Sequence, residues 1–488
     1  MSEVIKTFTS SMIFVLTRFS ERILGLISTL ILARLLTPDD FGIVAISMLV
    51  LNFFFILSDS GAENYIIKKN ALTESDINTA WTLNIILKFL VAIILWILSQ
   101  QIANYFNDER LLDILYVVTP LLIFSSFASP SIYLLKRDQN YRPLFKLIIF
   151  QKLFSVSIVI FIAVYYQSYW ALIFGHVASS TFHTIGSFRI YKYRPKFDLS
   201  KINEQWDFSK WILLSSIFGF VRSQLDTILA SKFFSVAEVG AFHTMKYIST
   251  MPGSQIIEPA ITPLLSTISR SIDDQDQYRY QIKLSYLVLL LVTLPSAIFL
   301  YWYANIIVQI LLGQQWLAYS EIFGTLALLI ISISFMSLSG HILISSNRPR
   351  LIFIYNLFSL VGLFVILFSI REYPLFYFTL ARTVFDISIT SLFFFTIAKL
   401  FVKIPIKELL IPCALILTSS YLSALFSMYF KAPGLNEIVK LIFAGVAFSS
   451  FYCLLVFILY RVYYKKTKEG AHLGFLVHKL VTKASGKL

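Results

Sequence analysis

Charged side chains lie inside stretches of this sequence that are otherwise apolar enough to enter a lipid bilayer. Arg18, Glu21 and Arg22 fall within about one helical turn and therefore on one side of a helix. An arginine near the centre of a membrane helix raises the free energy of membrane insertion by roughly 3 kcal/mol. It therefore normally faces protein or a water-filled cavity. Two arginines that share one glutamate leave surplus positive charge, which favours an anion such as phosphate. We expect this side of the helix to line a cationic cavity.

Further charges occur in the other apolar stretches. Arg222 with Asp226, and Arg382 with Asp386, are spaced i, i+4, so each pair can neutralise its own charge. Lys88 and Lys246 have no obvious partner on their own helices. The candidates for substrate binding are Arg18, Glu21, Arg22, Lys88, Arg222, Lys246 and Arg382. Acidic groups in membrane segments also relay protons or hold sodium. The candidates for coupling to an ion are Asp59, Asp226, Glu258 and Asp386, two of which are also the acidic members of the i, i+4 pairs.

The sequence offers no catalytic arrangement. His176 and His183 are seven residues apart, thus on one helical face, and we interpret them as satisfied interior histidines because no metal-ligand pattern accompanies them. There is no GxxxxGK[ST] phosphate loop and no nucleophile beside a base. We therefore expect no enzyme activity, no cofactor and no bound metal.

The elements that position these charges must be membrane helices. Of the 488 residues, 57% are hydrophobic and only 14% are charged, whereas soluble domains are about 25% charged. The mean hydropathy is +0.75. Apolar segments predict an all-α integral membrane protein with about 14 transmembrane helices. The segments centre on 9–34, 43–66, 79–104, 112–134, 146–166, 169–190, 209–231, 240–262, 283–305, 318–344, 350–370, 375–398, 408–430 and 437–460.

The net charge of +14 is a topology signal rather than a nucleic-acid site. With the N-terminus in the cytoplasm, the inner segments hold 27 basic residues and the outer segments hold 5. This is the asymmetry of the positive-inside rule. We expect both termini in the cytoplasm, no nucleic-acid binding, and a basic tail that lies on the anionic inner leaflet.

An internal repeat relates two parts of the chain. Residues 29–42 read TLILARLLTPDDFG and residues 227–240 read TILASKFFSVAEVG. Six predicted helices separate the copies, so both run in the same direction. The repeat predicts two six-helix lobes in a parallel pseudo-repeat plus two C-terminal helices. The expected divisions are 1–200, 201–403, 404–462 for the last two helices, and 463–488 for the tail.

Three segments carry a family resemblance: ILARLLTPDDFG at 31–42, LSDSGAENYIIKK at 57–69 and WILLSSIFGFVRSQLDTILASKFF at 211–234. They resemble the polysaccharide transporters, the Wzx-type oligosaccharide flippases. These belong to the multidrug/oligosaccharidyl-lipid/polysaccharide exporter superfamily, and the likeness is strongest to the subgroup of colanic-acid and teichuronic-acid exporters. It extends over nearly the whole chain, and the first segment is the most distinctive.

The resemblance implies a flippase that moves undecaprenyl-diphosphate-linked oligosaccharide repeats from the cytoplasmic to the outer leaflet, for surface polysaccharide assembly. It implies a bacterial cytoplasmic (inner) membrane, alternating access of two lobes around a cationic central cavity containing Arg18 and Arg22, and coupling to H⁺, Na⁺ or the membrane potential. The implied partners are the lipid-linked oligosaccharide, membrane lipids, a polysaccharide polymerase and glycosyltransferases.

Two other functions stay open from the residues alone. A multidrug/cation antiporter of the same superfamily would favour an acidic or apolar cavity, and the arginines of the first helix argue against it. A membrane polysaccharide polymerase or ligase would need a sizeable outer loop for sugar chemistry, and the predicted outer loops are short.

Overall fold

The computed structural model describes residues 2–258, 267–268, 271–429 and 436–462, and these residues contain helices and no β-strand. The basic tail predicted at 463–488 lies outside the described residues. The chain divides into two compact units, Met1–His243 and Thr244–Leu488. This division differs from the predicted lobe boundary near residue 200, which stays a prediction.

The first unit is a bundle of helices around an aliphatic core. Its helix α7 packs on both α8 and α1, while α2, α3 and α4 contact α9. Ile43, Leu95 and Ile114 are fully buried members of the core between α2, α4 and α5. The helices are α1 (Ser2–Leu35), α2 (Pro38–Leu57), α3 (Ala62–Lys68), α4 (Glu74–Phe106), α5 (Arg110–Ser126), α6 (Ser131–Arg137), α7 (Tyr141–Tyr166), α8 (Trp170–Ser187) and α9 (Ile202–Phe233). The next helix, α10 (Val236–Met251), begins in this unit and leads into a π-helical segment, Pro252–Ile257.

The second unit has an aromatic centre. The rings of Tyr286, Phe335 and Phe394 lie in mutual contact, with centroids 5.1 to 5.9 Å apart. The Tyr286 hydroxyl donates a hydrogen bond to the Leu409 carbonyl oxygen at 3.0 Å, so its one polar atom is satisfied. The helices of this unit are α11 (Gln275–Trp302), α12 (Ala304–Leu311), α13 (Ser320–Ala327), α14 (Leu329–Ser345), α15 (Arg350–Ser369), α16 (Leu375–Ile397), α17 (Ile406–Tyr429) and α18 (Glu437–Val462).

The chain is an all-helical, multi-pass membrane protein. Among the described residues, 10 helices are long and apolar enough to cross a membrane, or 11 if the bent pair α5 and α6 is one span. Every predicted apolar segment contains helix. The predicted count of fourteen spans is nevertheless not confirmed. Charges within α1 and breaks within other segments keep several helices below the length and hydropathy of a simple span.

Two predicted spans are broken near one of their ends. The segment 43–66 ends its first helix at Leu57 and resumes at Ala62, and Gly61 between them has φ +62°. The sequence predicted Asp59 inside a helix. In the structure it lies in an exposed turn between two helices. The segment 112–134 bends by 60° between α5 and α6.

The two copies of the repeat lie in the first unit and adopt the same local structure. Thr37 caps α2, and its hydroxyl donates to Asp40 Oδ2 at 2.7 Å while the Asp40 amide donates back to the hydroxyl at 3.3 Å. Ser235 and Glu238 repeat this arrangement at the start of α10, at 2.7 and 3.4 Å. Each copy thus forms a capping box, which satisfies amides that a helix start otherwise leaves without partners.

The two copies also pack against each other through their glycines. A Cβ atom on Gly42 would lie 1.8 Å from the Val236 carbonyl oxygen, and one on Gly240 would lie 2.0 Å from the Pro38 carbonyl oxygen. Pro38 precedes Gly42 by four residues, as Val236 precedes Gly240. The contact is therefore reciprocal, and each glycine leaves room for the backbone of the other copy.

Candidate functional site

The first unit contains a cavity of about 410 Å³ among α2 to α8. Its lining combines aromatic rings, small or aliphatic side chains, uncharged hydrogen-bonding groups, and the charged residues Glu63, Lys88 and Lys136. Its volume lies in the range of about 300–1,000 Å³ that is usual for small-ligand sites. The cavity is the strongest candidate site among the described residues.

Two helices supply most of its polar groups, and helical spacing explains why these face the same space. On α4, Trp81, Asn84 and Lys88 are spaced i, i+3 and i+7, which places them on one face. On α8, His176 and His183 are seven residues apart and also share a face. Their spacing was noted in the sequence, but their juxtaposition with Lys88 was not.

Lys88 is the central cation of the cavity. Its ammonium group donates to Ser125 Oγ at 3.3 Å and lies 5.7 Å from the ring centroid of Phe55. Among the described residues no carboxylate lies within ion-pair distance of it. The charge of Asp59, which does not line the cavity, acts on Lys88 from further away. The structure places this predicted candidate in a cavity, while its role in binding stays a prediction.

The other two charged groups of the cavity neutralise each other. Lys136 on α6 and Glu63 on α3 form an ion pair with a nitrogen-to-oxygen distance of 2.7 Å. Counting both histidines as neutral, the lining therefore carries one net positive charge. An anion is favoured in this cavity over a cation of similar size.

Several polar lining groups have no partner among the described residues. The imidazoles of His176 and His183 and the hydroxyl of Ser180 have no hydrogen bond to other protein groups in the described part of the chain. Both imidazoles face the cavity, and the interpretation of the two histidines as satisfied interior residues stays a prediction. Gln151 donates to Ser179 Oγ at 2.8 Å, and Asn84 donates a long bond to the Ser126 carbonyl oxygen at 3.4 Å. The lining can therefore form hydrogen bonds with a polar ligand.

A polar network beside the cavity holds α3, α4 and α9 together. Lys69 Nζ lies 2.8 Å from Asp76 Oδ1 and 2.7 Å from Glu204 Oε1, and it also donates to the Tyr65 hydroxyl. Burial lowers the pKa of Lys69, but its bonds to Asp76, Glu204 and Tyr65 raise it more, so the pKa is raised overall. Desolvation raises the pKa of Tyr65 to about 12. Lys69 therefore stays charged at any physiological pH.

The charged group of α1 ranges from exposed at Arg18 to half-buried at Glu21 and Arg22. Arg18 pairs with Glu21 at 3.4 Å, with side chains 54% and 39% exposed, and it lies over the Phe14 ring. Arg22 is half-buried and has no hydrogen bond or ion pair in the described part of the chain. None of the three lines the cavity of the first unit, so a shared cationic site with Lys88 stays a prediction.

In the second unit, the predicted pair on α16 is present. Arg382 Nη1 lies 3.5 Å from Asp386 Oδ2, and the side chains are 13% and 25% exposed. Ser332 on α14 donates to the same carboxylate oxygen at 2.7 Å. The pair thus joins two helices, which fits a structural role.

The remaining candidates have different surroundings. Asp226 is buried and accepts a hydrogen bond from the Thr227 amide at 2.8 Å, while Arg222 is half-buried. Lys246 and Glu258 are half-buried in the second unit. Their roles in substrate binding or ion coupling stay predictions. Within the described residues, no cluster of three or more His, Cys, Asp or Glu side chains is placed to hold a metal ion.

Comparison with known protein families gives a match over residues 31–321. The matching family model is described as polysaccharide biosynthesis protein.

Three curated relatives illustrate the likeness. An uncharacterized membrane protein in the cps region of Klebsiella pneumoniae is 26% identical over 323 residues, which are 65% of this chain and 66% of that protein. The lipopolysaccharide biosynthesis protein WzxC of Escherichia coli (strain K12) is 21% identical over 69% of each chain. The succinoglycan biosynthesis transport protein ExoT of Rhizobium meliloti (strain 1021) is 20% identical over 61% of each. The chain thus spans 66% of the first relative and 61% of the third, in both cases less than two thirds.

Two solved structures share the fold. The lipid II flippase MurJ in an inward closed conformation superposes with a TM-score of 0.72 at 15% identity, covering 92% of this chain and 99% of that one. An inward-facing multidrug resistance transporter of the MATE family gives a TM-score of 0.58 at 10% identity, covering 77% and 93%. At these identities the likeness establishes the architecture alone.

Proposed function

Because the chain belongs to the polysaccharide biosynthesis protein family, we propose that it is a transporter that moves a lipid-linked oligosaccharide between the two leaflets of its membrane. The observation that carries the proposal is the polar, positively charged cavity of the first unit, which apolar helices surround. A sugar loses its hydrogen bonds to water when it leaves the aqueous phase, so it needs protein groups that replace them. The cavity offers such groups.

The finer parts of the proposal rest on the family resemblance and on the distribution of charge in the sequence. The cargo is an undecaprenyl-diphosphate-linked repeat, moved from the cytoplasmic to the outer leaflet of a bacterial cytoplasmic membrane, with both termini of the chain in the cytoplasm. Its diphosphate is bound by Arg18 and Arg22, since arginine suits phosphate through paired donors. Two lobes alternate in access, driven by H⁺, Na⁺ or the membrane potential through Asp59, Asp226, Glu258 or Asp386. A polymerase and glycosyltransferases are the proposed partners.

The test is made in a deletion strain of the source bacterium. Its lipid-linked sugars are extracted, and the leaflet that holds them is determined by their access to an impermeant sugar-oxidising reagent in intact and opened cells. Accumulation of a complete repeat on the cytoplasmic side is the expected result, and plasmid-borne protein should relieve it. Complete repeats that reach the outer leaflet but stay unpolymerised would support a polymerase or ligase. Unchanged lipid-linked sugars would support a multidrug/cation antiporter.

A further inference from the structure

We propose that the cavity of the first unit binds a sugar residue that bears one carboxylate, as part of the transported oligosaccharide. The carboxylate would lie at Lys88, and the ring hydroxyls would bond to His176, His183 and their polar neighbours. This inference rests on the proposed function and adds the chemical class of one sugar in the cargo.

The charge of the lining selects a monoanion. With Glu63 and Lys136 paired at 2.7 Å, Lys88 is the lining cation without a carboxylate at ion-pair distance among the described residues. A diphosphate carries two or more negative charges, and a single ammonium group would leave at least half of that charge uncompensated in a low-dielectric site. A sugar carboxylate carries one negative charge and matches the lining. A neutral sugar could accept hydrogen bonds from Lys88 but would leave its positive charge without a counter-charge.

The uncharged groups match sugar hydroxyls. A hydroxyl both donates and accepts, and a neutral imidazole, an amide and a serine each offer both functions as well. His176, His183 and Ser180 have these functions unused by other protein groups in the described part of the chain, and Asn84 has its carbonyl oxygen unused. These groups lie on α4 and α8, with Lys88 on the same face of α4 as Asn84.

The aromatic side chains complete the site. Phe55, Trp81 and Tyr133 line the same cavity, and the Phe55 ring lies beside the Lys88 ammonium group. A sugar ring has an apolar C–H face that packs on such rings while its hydroxyls bond elsewhere. The volume of about 410 Å³ admits one ring with its substituents and excludes a long glycan.

The experiment measures binding by purified full-length protein in detergent. The probes are glucuronate, glucose and inorganic phosphate. Binding is measured by equilibrium dialysis with labelled glucuronate and by the melting temperature of the protein. Glucuronate is expected to bind and to raise the melting temperature, whereas glucose and phosphate compete weakly. Lys88→Met should weaken glucuronate binding about tenfold or more, because a hydrogen bond to a charged group contributes about 1.5–3 kcal/mol. Lys88→Arg should keep most of it.

Lys210→Met is the matched control. Lys210 lies on α9, is 44% exposed and pairs with Asp207, and it does not line the cavity, so its removal should leave binding unchanged. Phosphate that displaces glucuronate as well as glucuronate itself would overturn the inference in favour of a general anion site. Failure of the monodisperse wild-type protein to bind glucuronate would overturn it as well. Neither result would contradict the proposed transport function, which the deletion strain tests separately.

Discussion

Lys88 and Arg22 share a property at the scale of single residues. Both are cations in apolar helices, and neither has an acidic group within ion-pair distance in the described part of the chain. Membrane proteins rarely retain such a charge unless it meets water, a counter-charge or a ligand. The sequence identified both by this argument. The structure distinguishes them, because Lys88 lines a cavity within one unit and Arg22 lies on a helix face away from it.

Arg22→Ala is expected to lower transport about tenfold or more at an unchanged protein level, because the diphosphate would lose a charge-assisted partner. Arg22→Lys should restore part of the activity. The measurement is the amount of outer-leaflet lipid-linked repeat in the complemented deletion strain, with an immunoblot for protein level. Arg371→Ala is the control, since Arg371 is 35% exposed and pairs with the adjacent Glu372. Normal transport in an Arg18→Ala, Arg22→Ala double variant would contradict the assignment.

Asp386→Asn is expected to destabilise the protein by about 1–2 kcal/mol, because Arg382 loses its charged partner in a mostly buried place. The Ser332 hydroxyl can still donate to the amide oxygen, which limits the loss. The measurement is the midpoint of thermal or detergent-induced unfolding. Asp207→Asn breaks an exposed pair and should change the midpoint little. An unchanged midpoint together with lost ion dependence of transport would assign Asp386 to ion coupling instead.

At the scale of elements, the start of α2 and the start of α10 are fixed by their own sequence and by each other. The capping boxes fix where each helix begins, and the glycines allow the two backbones to touch. Arg110 adds a bridge, with Nη1 2.5 Å from Asp39 and Nη2 2.7 Å from Asp108. The first of these helix starts lies within residues 31–42, the most distinctive of the three segments that carry the family resemblance.

Gly42→Ala and Gly240→Ala should each lower the midpoint of unfolding, because the new methyl group would overlap a carbonyl oxygen. Overpacking of this kind costs about 1–3 kcal/mol. Gly219→Ala and Gly340→Ala are the controls, since a Cβ there meets no atom within 4 Å. They should be neutral or stabilising by about 0.5–1 kcal/mol, because alanine is the better helix former. Equal effects at all four positions would refute the close-contact account.

The helices were largely predictable because hydropathy decides which segments leave water. The breaks were not predicted, because each is short and has apolar residues on both sides. The signals present were SerAspSerGly at 58–61 and AlaSerPro at 128–130, both typical of turns. Of the residues that line the cavity, Lys88 was the one that the sequence predicted as a binding residue. The other lining groups come from separate helices, and only three-dimensional packing brings His183 near Lys88. The i, i+7 spacing on α4 and α8 was the available signal.

At the scale of the whole molecule, the distribution of basic residues predicts the orientation in the membrane. Labelling of single cysteines with an impermeant maleimide tests it, after Cys413 and Cys453 are replaced by serine. Asn107→Cys should react in intact cells, and Lys192→Cys should react only after the membrane is opened. Both positions are exposed in the structure, so failure to react reports the side of the membrane rather than burial. The reverse pattern would invert the topology.

The reciprocal glycine contact has a consequence for the history of the chain. Two copies of one segment that touch through equivalent residues have the geometry of an isologous dimer interface, in which each surface meets its own copy. A half-length ancestor would have formed it between two identical subunits, and any substitution there would have acted twice. Once the halves are joined in one chain, the two surfaces can diverge. They have already done so at Asp40, which also accepts a hydrogen bond from the Tyr169 amide, and at Glu238, which replaces it in the second copy.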